Sequence, residues 1–357
     1  LNKQTTMKPF PRSFAFFLFG IGAAAVASAE NKPQAPARLP NPDNFQQWIL
    51  PKQVPWPANN APTPDRIELG KMLFFDPRLS RNGTTSCATC HNPGLGWADG
   101  LVKGRGFKGE ELGRHSPSII NTAYNTIQMW DGRKKDLEDQ ALGPMESAAE
   151  MNVDFAAMFA WLNASPGYQQ AFAKAYPGEA INASTLSRAI ASFERTVLSR
   201  TSPFDRWLAK DKNAMTPQQL RGFMIFNDPV KGNCVVCHSA PNFTDNGFHN
   251  IGLASFGDEK PDDGRYAQRA VKILKGAFKT PGLRDIARTP PYFHDGSAKT
   301  LANVVDHYVS GGLVRSNLSP NIKPLPLEAS EKEDLIAFLQ ALSSPPQPLV
   351  HPVLPPF

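Results

Sequence analysis

Apolar residues recur at helical spacing along most of this chain. Leu186, Ile190, Phe193 and Val197 fall on one face of the segment 184–200, and Phe155, Met158 and Phe159 do the same in 152–163. Leu335, Phe338, Leu339 and Leu342 mark the buried side of another helix. Start signals support the pattern. Thr63-Pro64 sets a capping residue before a proline at the first helical position and opens a helix through Phe74. Thr216-Pro217-Gln218-Gln219 and Ser330-Glu331-Lys332-Glu333 read as capping boxes, the second opening the helix that buries Leu335. Residues 30–62 are rich in Pro, Asn and Ala without a helical period, which predicts an extended arm over the surface. The tail, 344–357, is proline-rich and cannot be helical. No strand pattern of any length emerges, so the fold class is mainly α, with long loops and little strand.

The pattern also repeats. Gly70-Lys-Met-Leu-Phe-Phe-Asp-Pro77 matches Gly222-Phe-Met-Ile-Phe-Asn-Asp-Pro229, and Ser116-Pro117 matches Thr280-Pro281. Continued without a gap, the second match sets Trp130-Asp131-Gly132 on His294-Asp295-Gly296, and Lys135-x-Leu137 on Lys299-x-Leu301. The chain therefore reads as two tandem copies of one domain, 63–201 and 202–343, with a boundary near residues 200–203.

Each copy carries one C-x-x-C-H, the attachment sequence for c-type haem. These are Cys87-Ala-Thr-Cys90-His91 and Cys234-Val-Val-Cys237-His238, and together they use all 4 cysteines. A single such motif is also compatible with a redox pair or half a zinc site. Two complete copies with no cysteine left over favour two covalently bound haems, with His91 and His238 as proximal ligands, and exclude a disulfide framework. Export agrees with this chemistry. Lys8 and Arg12 precede an apolar run over 14–26, and Ala27-Ser28-Ala29 is a small-residue cleavage signal, so 1–29 reads as a signal peptide and the mature protein as periplasmic, with no membrane anchor after cleavage. Loss of Lys3, Lys8 and Arg12 lowers the formal net charge from +6 to +3, and haem propionates offset the remainder. No basic run with interleaved aromatics is present, and nucleic acid is not an expected partner.

The open side of each iron can be read from the repeat. Leu301, Val304, Val305 and Tyr308 share one helical face, which aims Tyr308 at the domain interior and turns His307 away. All 8 methionines lie at or before Met224, so the second domain lacks one beyond its haem motif. The local candidates for a sixth ligand are Tyr308, His249, His294 and His307. In the first copy the position of Tyr308 is held by Pro144, which cannot bind iron. That leaves the first haem open to water or peroxide. Glu150, whose repeat equivalent is Val314, offers a carboxyl to move a proton between the peroxide oxygens. Gln140, one turn before Pro144, can hold a water or peroxide, and Trp130 can carry electrons between the irons or serve as buried structure.

These residues resemble the bacterial dihaem cytochrome c peroxidase superfamily, in particular its MauG-like branch. The resemblance runs from about Thr63 to Leu342, through Ser86-Cys-Ala-Thr-Cys-His91, Trp130-Asp-Gly132, Phe243-Thr-Asp with Phe248-His-Asn-Ile-Gly252, and Pro291-Tyr-Phe-His-Asp-Gly296. It implies haems near the domain interface, a peroxide-reactive first haem, and a six-coordinate second haem that stores an oxidising equivalent. It also implies that Tyr308 is the second iron's ligand, where peroxidases of the family have methionine. Trp130 matches the tryptophan between the haems, and Gln140, Pro144 and Glu150 match the distal trio, while Asp131 and Gly132 look structural. A calcium ion is implied between the haems. Thr289 and Pro291 match two of its ligands, but His115 stands where the family has asparagine, and imidazole is a poor ligand for a hard cation. His115 is then expected to hydrogen-bond a propionate or the backbone, with ligation of the first iron as the alternative. Three functions follow: oxidation of Tyr or Trp on a partner protein, reduction of hydrogen peroxide with electrons from a small cytochrome c or cupredoxin, and non-enzymatic electron transfer.

Overall fold

A computed structural model describes Leu1 and residues 39–356. The expected signal peptide and the first part of the arm lie outside these residues. From Leu39 onward the chain forms one compact unit with two hydrophobic cores. Its helices are α1 (Pro64–Phe75), α2 (Cys87–Cys90), α3 (Leu137–Glu146), α4 (Phe155–Ala164), α5 (Pro166–Ala175), α6 (Ala183–Glu194), α7 (Pro203–Leu208), α8 (Pro217–Asn227), α9 (Leu301–Ser310) and α10 (Ala329–Ala341). Among the described residues only two short strands occur, β1 (Phe248–His249) and β2 (Phe278–Lys279), paired antiparallel. The class is mainly α, as expected. No helix among the described residues is long and apolar enough to cross a membrane.

The repeat is built into the packing. In the first core α1 crosses α6; in the second α8 crosses α10. Each crossing is tightest at a glycine. A Cβ on Gly70 would collide with the Ala189 carbonyl, and one on Gly222 with the Asp334 carbonyl. The first core draws on Leu73, Phe74, Leu186 and Ile190, the second on Phe204, Phe223, Phe226 and Phe338. Full burial of each such side chain contributes roughly 1.5–3 kcal/mol. Backbone details recur at the offset that carries Trp130 onto His294. Asn121 and Asp285 have φ of 58° and 60°, and Met129 and Phe293 have 71° and 70°. Helices α3 and α9 are both ten residues long, with Asp136 and Thr300 accepting at their N-caps.

The same offset organises the junction between the halves. The His115 N–H donates to the His294 carbonyl at 2.7 Å, and the Lys279 N–H donates to the Trp130 carbonyl at 2.7 Å. Since His115 maps onto Lys279 and Trp130 onto His294, these bonds are one contact made twice, in a pseudo-two-fold arrangement.

Several boundaries differ from expectation. Helix α6 stops at Glu194 rather than Arg200, and Val197 reaches the core from a turn. The capping box of α10 begins at Glu328, not Ser330, with Glu331 closing it. Asp154 caps α4, so that helix starts three residues after Asn152. The Thr63 and Thr216 caps stand as expected. The arm corrects the picture most. Within it Pro42–Trp48 form a 3₁₀ stretch, and Trp48, 1% exposed, is inserted into the second core beside Phe243. Asn60, fully buried, donates to Glu138 Oε1 and to the Arg188 carbonyl beside the first core. A surface arm would leave both groups wet; this one ties both cores. The tail is non-helical and returns to the first core, where His351 meets Phe75 edge-on and the Pro355 carbonyl accepts from Arg78.

Candidate functional site

Each C-x-x-C-H forms a tight turn that folds its histidine back over the cysteines. The His91 N–H donates to the Cys87 carbonyl at 2.9 Å, and the His238 N–H to the Cys234 carbonyl at 2.8 Å. Both imidazoles are oriented alike. His91 Nδ1 lies 3.2 Å from the Trp97 carbonyl, and His238 Nδ1 lies 3.0 Å from the Phe243 carbonyl. A carbonyl fixes Nδ1 as the protonated nitrogen and leaves Nε2 with its lone pair free, the arrangement of a histidine prepared to bind metal. Burial lowers the proton affinity of both rings and so favours the neutral form such a ligand needs. Burial also pushes Cys90 up to about 11 and Cys234 to about 12. Thiols raised in this way are unlike the depressed thiolates of a disulfide oxidoreductase or a zinc site.

The second motif opens onto a cavity of about 270 Å³. Its wall includes Cys234, Cys237, His238 and Tyr308, with apolar surface from Phe226, Ile251, Leu283, Leu301, Val305 and Leu339. Residues of the first half, among them His115, Met129 and Trp130, close one side. Three buried polar atoms in this wall have no protein partner: Asn125 Oδ1, Asn242 Oδ1 and Arg284 Nε. Lys279, 8% exposed, also lines it, and its ammonium donates to the carbonyl of its neighbour Thr280 at 3.0 Å. Burial lowers its ammonium to about 8, against the charge of Asp245. A flat apolar group bearing carboxylates fits this set: greasy walls for the ring, with Lys279 and Arg284 Nε for the acids. The cavity thus fits a haem.

Tyr308 is the eighth residue of α9, and burial raises its phenol well above the usual range. The other expected ligand candidates are engaged. His307 Nε2 is 2.9 Å from the Ile251 carbonyl. His249 Nε2 is 2.8 Å from Asp245 Oδ2, and that hydrogen bond is the main reason its pKa rises to about 10. His294 stacks on Phe278 with centroids 3.4 Å apart, and burial lowers it to about 4. The Trp130 indole donates to the His115 carbonyl at 2.9 Å. His115 is buried with Nδ1 2.7 Å from the Leu101 carbonyl, the backbone bond expected of it. Thr289 and Pro291 share the cavity wall with His115. This donor set fits calcium poorly, because an imidazole stands where an oxygen ligand is needed.

Pro144 occupies on α3 the place that Tyr308 occupies on α9, again the eighth residue. Gln140 lies one turn earlier, half-buried. The turn after α3 is fixed by the Met151 N–H donating to the Pro144 carbonyl at 3.0 Å, which sets Glu150 beside the first motif. There its charge bears on Cys90. Burial raises the Glu150 carboxyl above its ordinary value, opposed by Arg133 and by a hydrogen bond with Ser147. Asp131 is buried and accepts from Arg114 and Arg133, and Gly132 has φ of 66°, which agrees with structural roles. The reading of motifs missed Lys279, Arg284 and Asn242. Only the repeat offset, which sets Lys279 against His115, carried a hint of the first.

Comparison with known proteins agrees with this geometry. Residues 64–213 match the family model described as di-haem cytochrome c peroxidase. The chain is 42% identical over 342 residues to the methylamine utilization protein MauG of Methylorubrum extorquens, covering 96% of this chain and 94% of that one. It is 36% identical over 376 residues to the cytochrome-c peroxidase IdrP1 of Pseudomonas sp. strain SCT, covering 97% and 96%. A MauG-like protein associated with microbial copper homeostasis has a similar structure, with a TM-score of 0.77 and 32% identity over 83% of this chain and 95% of that one. With two matching halves, two haem motifs and relatives along nearly its whole length, the chain belongs to the di-haem cytochrome c peroxidase family, and it is a dihaem oxidoreductase.

Proposed function

We propose that this protein is a periplasmic oxidoreductase of MauG type. It splits hydrogen peroxide at the first haem and shares the oxidising equivalents with the second through Trp130. It then withdraws electrons from Tyr or Trp residues of a docked partner protein. The observation that carries the reading is the asymmetry at one helical position, Tyr308 in α9 against Pro144 in α3. Apart from Trp48 of the arm, the two cores draw on residues either side of 198–203, which supports two haem domains over 63–201 and 202–343.

Cys87 and Cys90 would anchor one haem as thioethers, Cys234 and Cys237 the other, with His91 and His238 as iron ligands and Tyr308 as the second ligand at the C-terminal site. When bound, the haems supply one-electron redox chemistry and an open coordination position for peroxide. The protein's own groups do the rest. Pro144 keeps any ligating side chain out of the first site, and Gln140 holds peroxide or water by hydrogen bonding. Glu150 takes the proton from one peroxide oxygen and returns it to the other, and a carboxyl with raised proton affinity suits both halves of that task. The indole of Trp130, held by the His115 carbonyl, keeps a fixed position between the halves. Tyr308, ligating as tyrosinate, would stabilise an oxidised centre better than a thioether does.

The test is the EPR spectrum of the ferric protein beside Tyr308→Phe. The expected result is two species in the parent, one high-spin and one low-spin, and loss of the low-spin signal in the variant. An unchanged spectrum would remove the basis for the MauG reading. The second reading, a peroxidase supplied by a small cytochrome c or cupredoxin, draws on the similarity to a cytochrome-c peroxidase. Rapid peroxide turnover with such a donor would favour it.

A further inference from the structure

Beside the first haem motif stands a buried carboxyl that the chemistry above does not use. Glu194 ends α6 at 3% exposure, and its Oε2 has no hydrogen-bond partner. The neighbouring Arg195 is committed elsewhere, to both oxygens of Glu138 on α3 at 2.8 and 2.9 Å. Phe193 packs against Phe74 and Trp97, and the Trp97 carbonyl is the one that orients His91. From α1 the same core receives Leu69, Leu73 and Phe74, all apolar. The charge of Glu194 is felt at Cys87.

The repeat locates this carboxyl more closely. The glycine crossings pair Ala189 with Asp334 and Phe193 with Phe338, so Glu194 pairs with Leu339. Leu339 is in the wall of the second cavity. The first haem site thus has an acid where the second has an aliphatic side chain. Burial pushes Glu194 up to about 8; Arg195 opposes the shift and Glu138 adds to it. The Cys87 thiol is a further titratable group nearby, and it ceases to titrate once it is a thioether. An unpaired carboxylate is costly in such surroundings, a neutral acid is not, and a positive charge close by reverses the preference.

We propose that Glu194 is a redox-linked proton site of the first haem, protonated when that haem is reduced and ionised when it is oxidised. One electron leaves to a one-electron acceptor and one proton leaves the carboxyl for water, so the charge of the pocket is unchanged. Reduction runs the reverse, with an electron from a one-electron donor and a proton from water. The proposal rests on haem attachment at Cys87 and Cys90.

The experiment is a mediated spectroelectrochemical titration of the dihaem protein and of Glu194→Gln, from about pH 6 to about pH 9 around the shifted carboxyl. In the parent, the potential of the first haem should fall as pH rises, by up to about 59 mV for each tenfold drop in proton concentration. In the glutamine variant that slope should vanish while the second haem is unchanged. Equal slopes in both proteins would overturn the proposal. The redox-difference infrared spectrum of the parent needs no variant: reduction should produce a carboxylic acid C=O band that shifts in D2O, and its absence would overturn the proposal too. The mass of the denatured parent counts attached haems. Two haems with equal slopes reject the proton site alone, whereas a missing first haem rejects the attachment reading along with it.

Discussion

Single side chains distinguish two haem motifs built to one plan. At the first, Glu150 is raised by burial and held after the Pro144 turn. Glu150→Gln should slow the reaction with peroxide by about 10²–10⁴ while leaving the spectra of the resting haems intact, as stopped-flow absorption would record. The pH dependence has a definite sign. The carboxylate must be free to accept the first proton, so the rate should fall as pH drops through a pKa above the ordinary carboxylate value. The glutamine variant should lose that dependence. A rate unaffected by the substitution would remove Glu150 from the chemistry.

Helix packing sets the distance at which these side chains meet the haem motifs. The α1–α6 and α8–α10 crossings close to backbone contact at Gly70 and Gly222, so neither position has room for a methyl group. Gly222→Ala should lower unfolding free energy by about 1–3 kcal/mol or more, since the Asp334 carbonyl is main chain and cannot rotate aside. Gly113, where an added Cβ meets nothing within 4 Å, is the control, and Gly113→Ala should be close to neutral. Denaturant titration of the two variants compares them directly. If both behave like the parent, the crossings are looser than described here.

Across the whole molecule, the junction of the two halves depends on buried groups that must stay neutral. His294 accepts through its carbonyl from His115, and its ring is depressed to about 4 by burial. An unfolded histidine titrates near 6.5, so on acidification the unfolded chain binds this proton first. The stability that His294 contributes is therefore complete above about pH 6.5 and lost progressively towards about pH 4. The loss is on the order of 3 kcal/mol over that window. His294→Gln should flatten this part of the stability–pH curve, measured by denaturant unfolding at several pH values. An equally steep curve in the variant would place the acid sensitivity elsewhere.

Local signals in the sequence were sufficient for the mainly α class, the Thr63 and Thr216 caps, the two haem motifs and the offset between the halves. Each depends on spacing within a few residues, or on a repeated spacing. The offset alone set Pro144 against Tyr308, because helices of equal length start at equivalent caps. Other features required the folded chain. Trp48 and Asn60 belong to a segment without periodicity, and only the space left between helices shows that they are buried. Lys279 and Glu194 carry no local sign of their burial, because desolvation is a property of neighbours distant in sequence. The reciprocal His115–His294 and Lys279–Trp130 bonds are of the same kind. Sequence determined which haem motif and which repeat positions each half carries; tertiary structure decided which charges lie near them without solvent, since burial is a sum over contacts that no local pattern encodes.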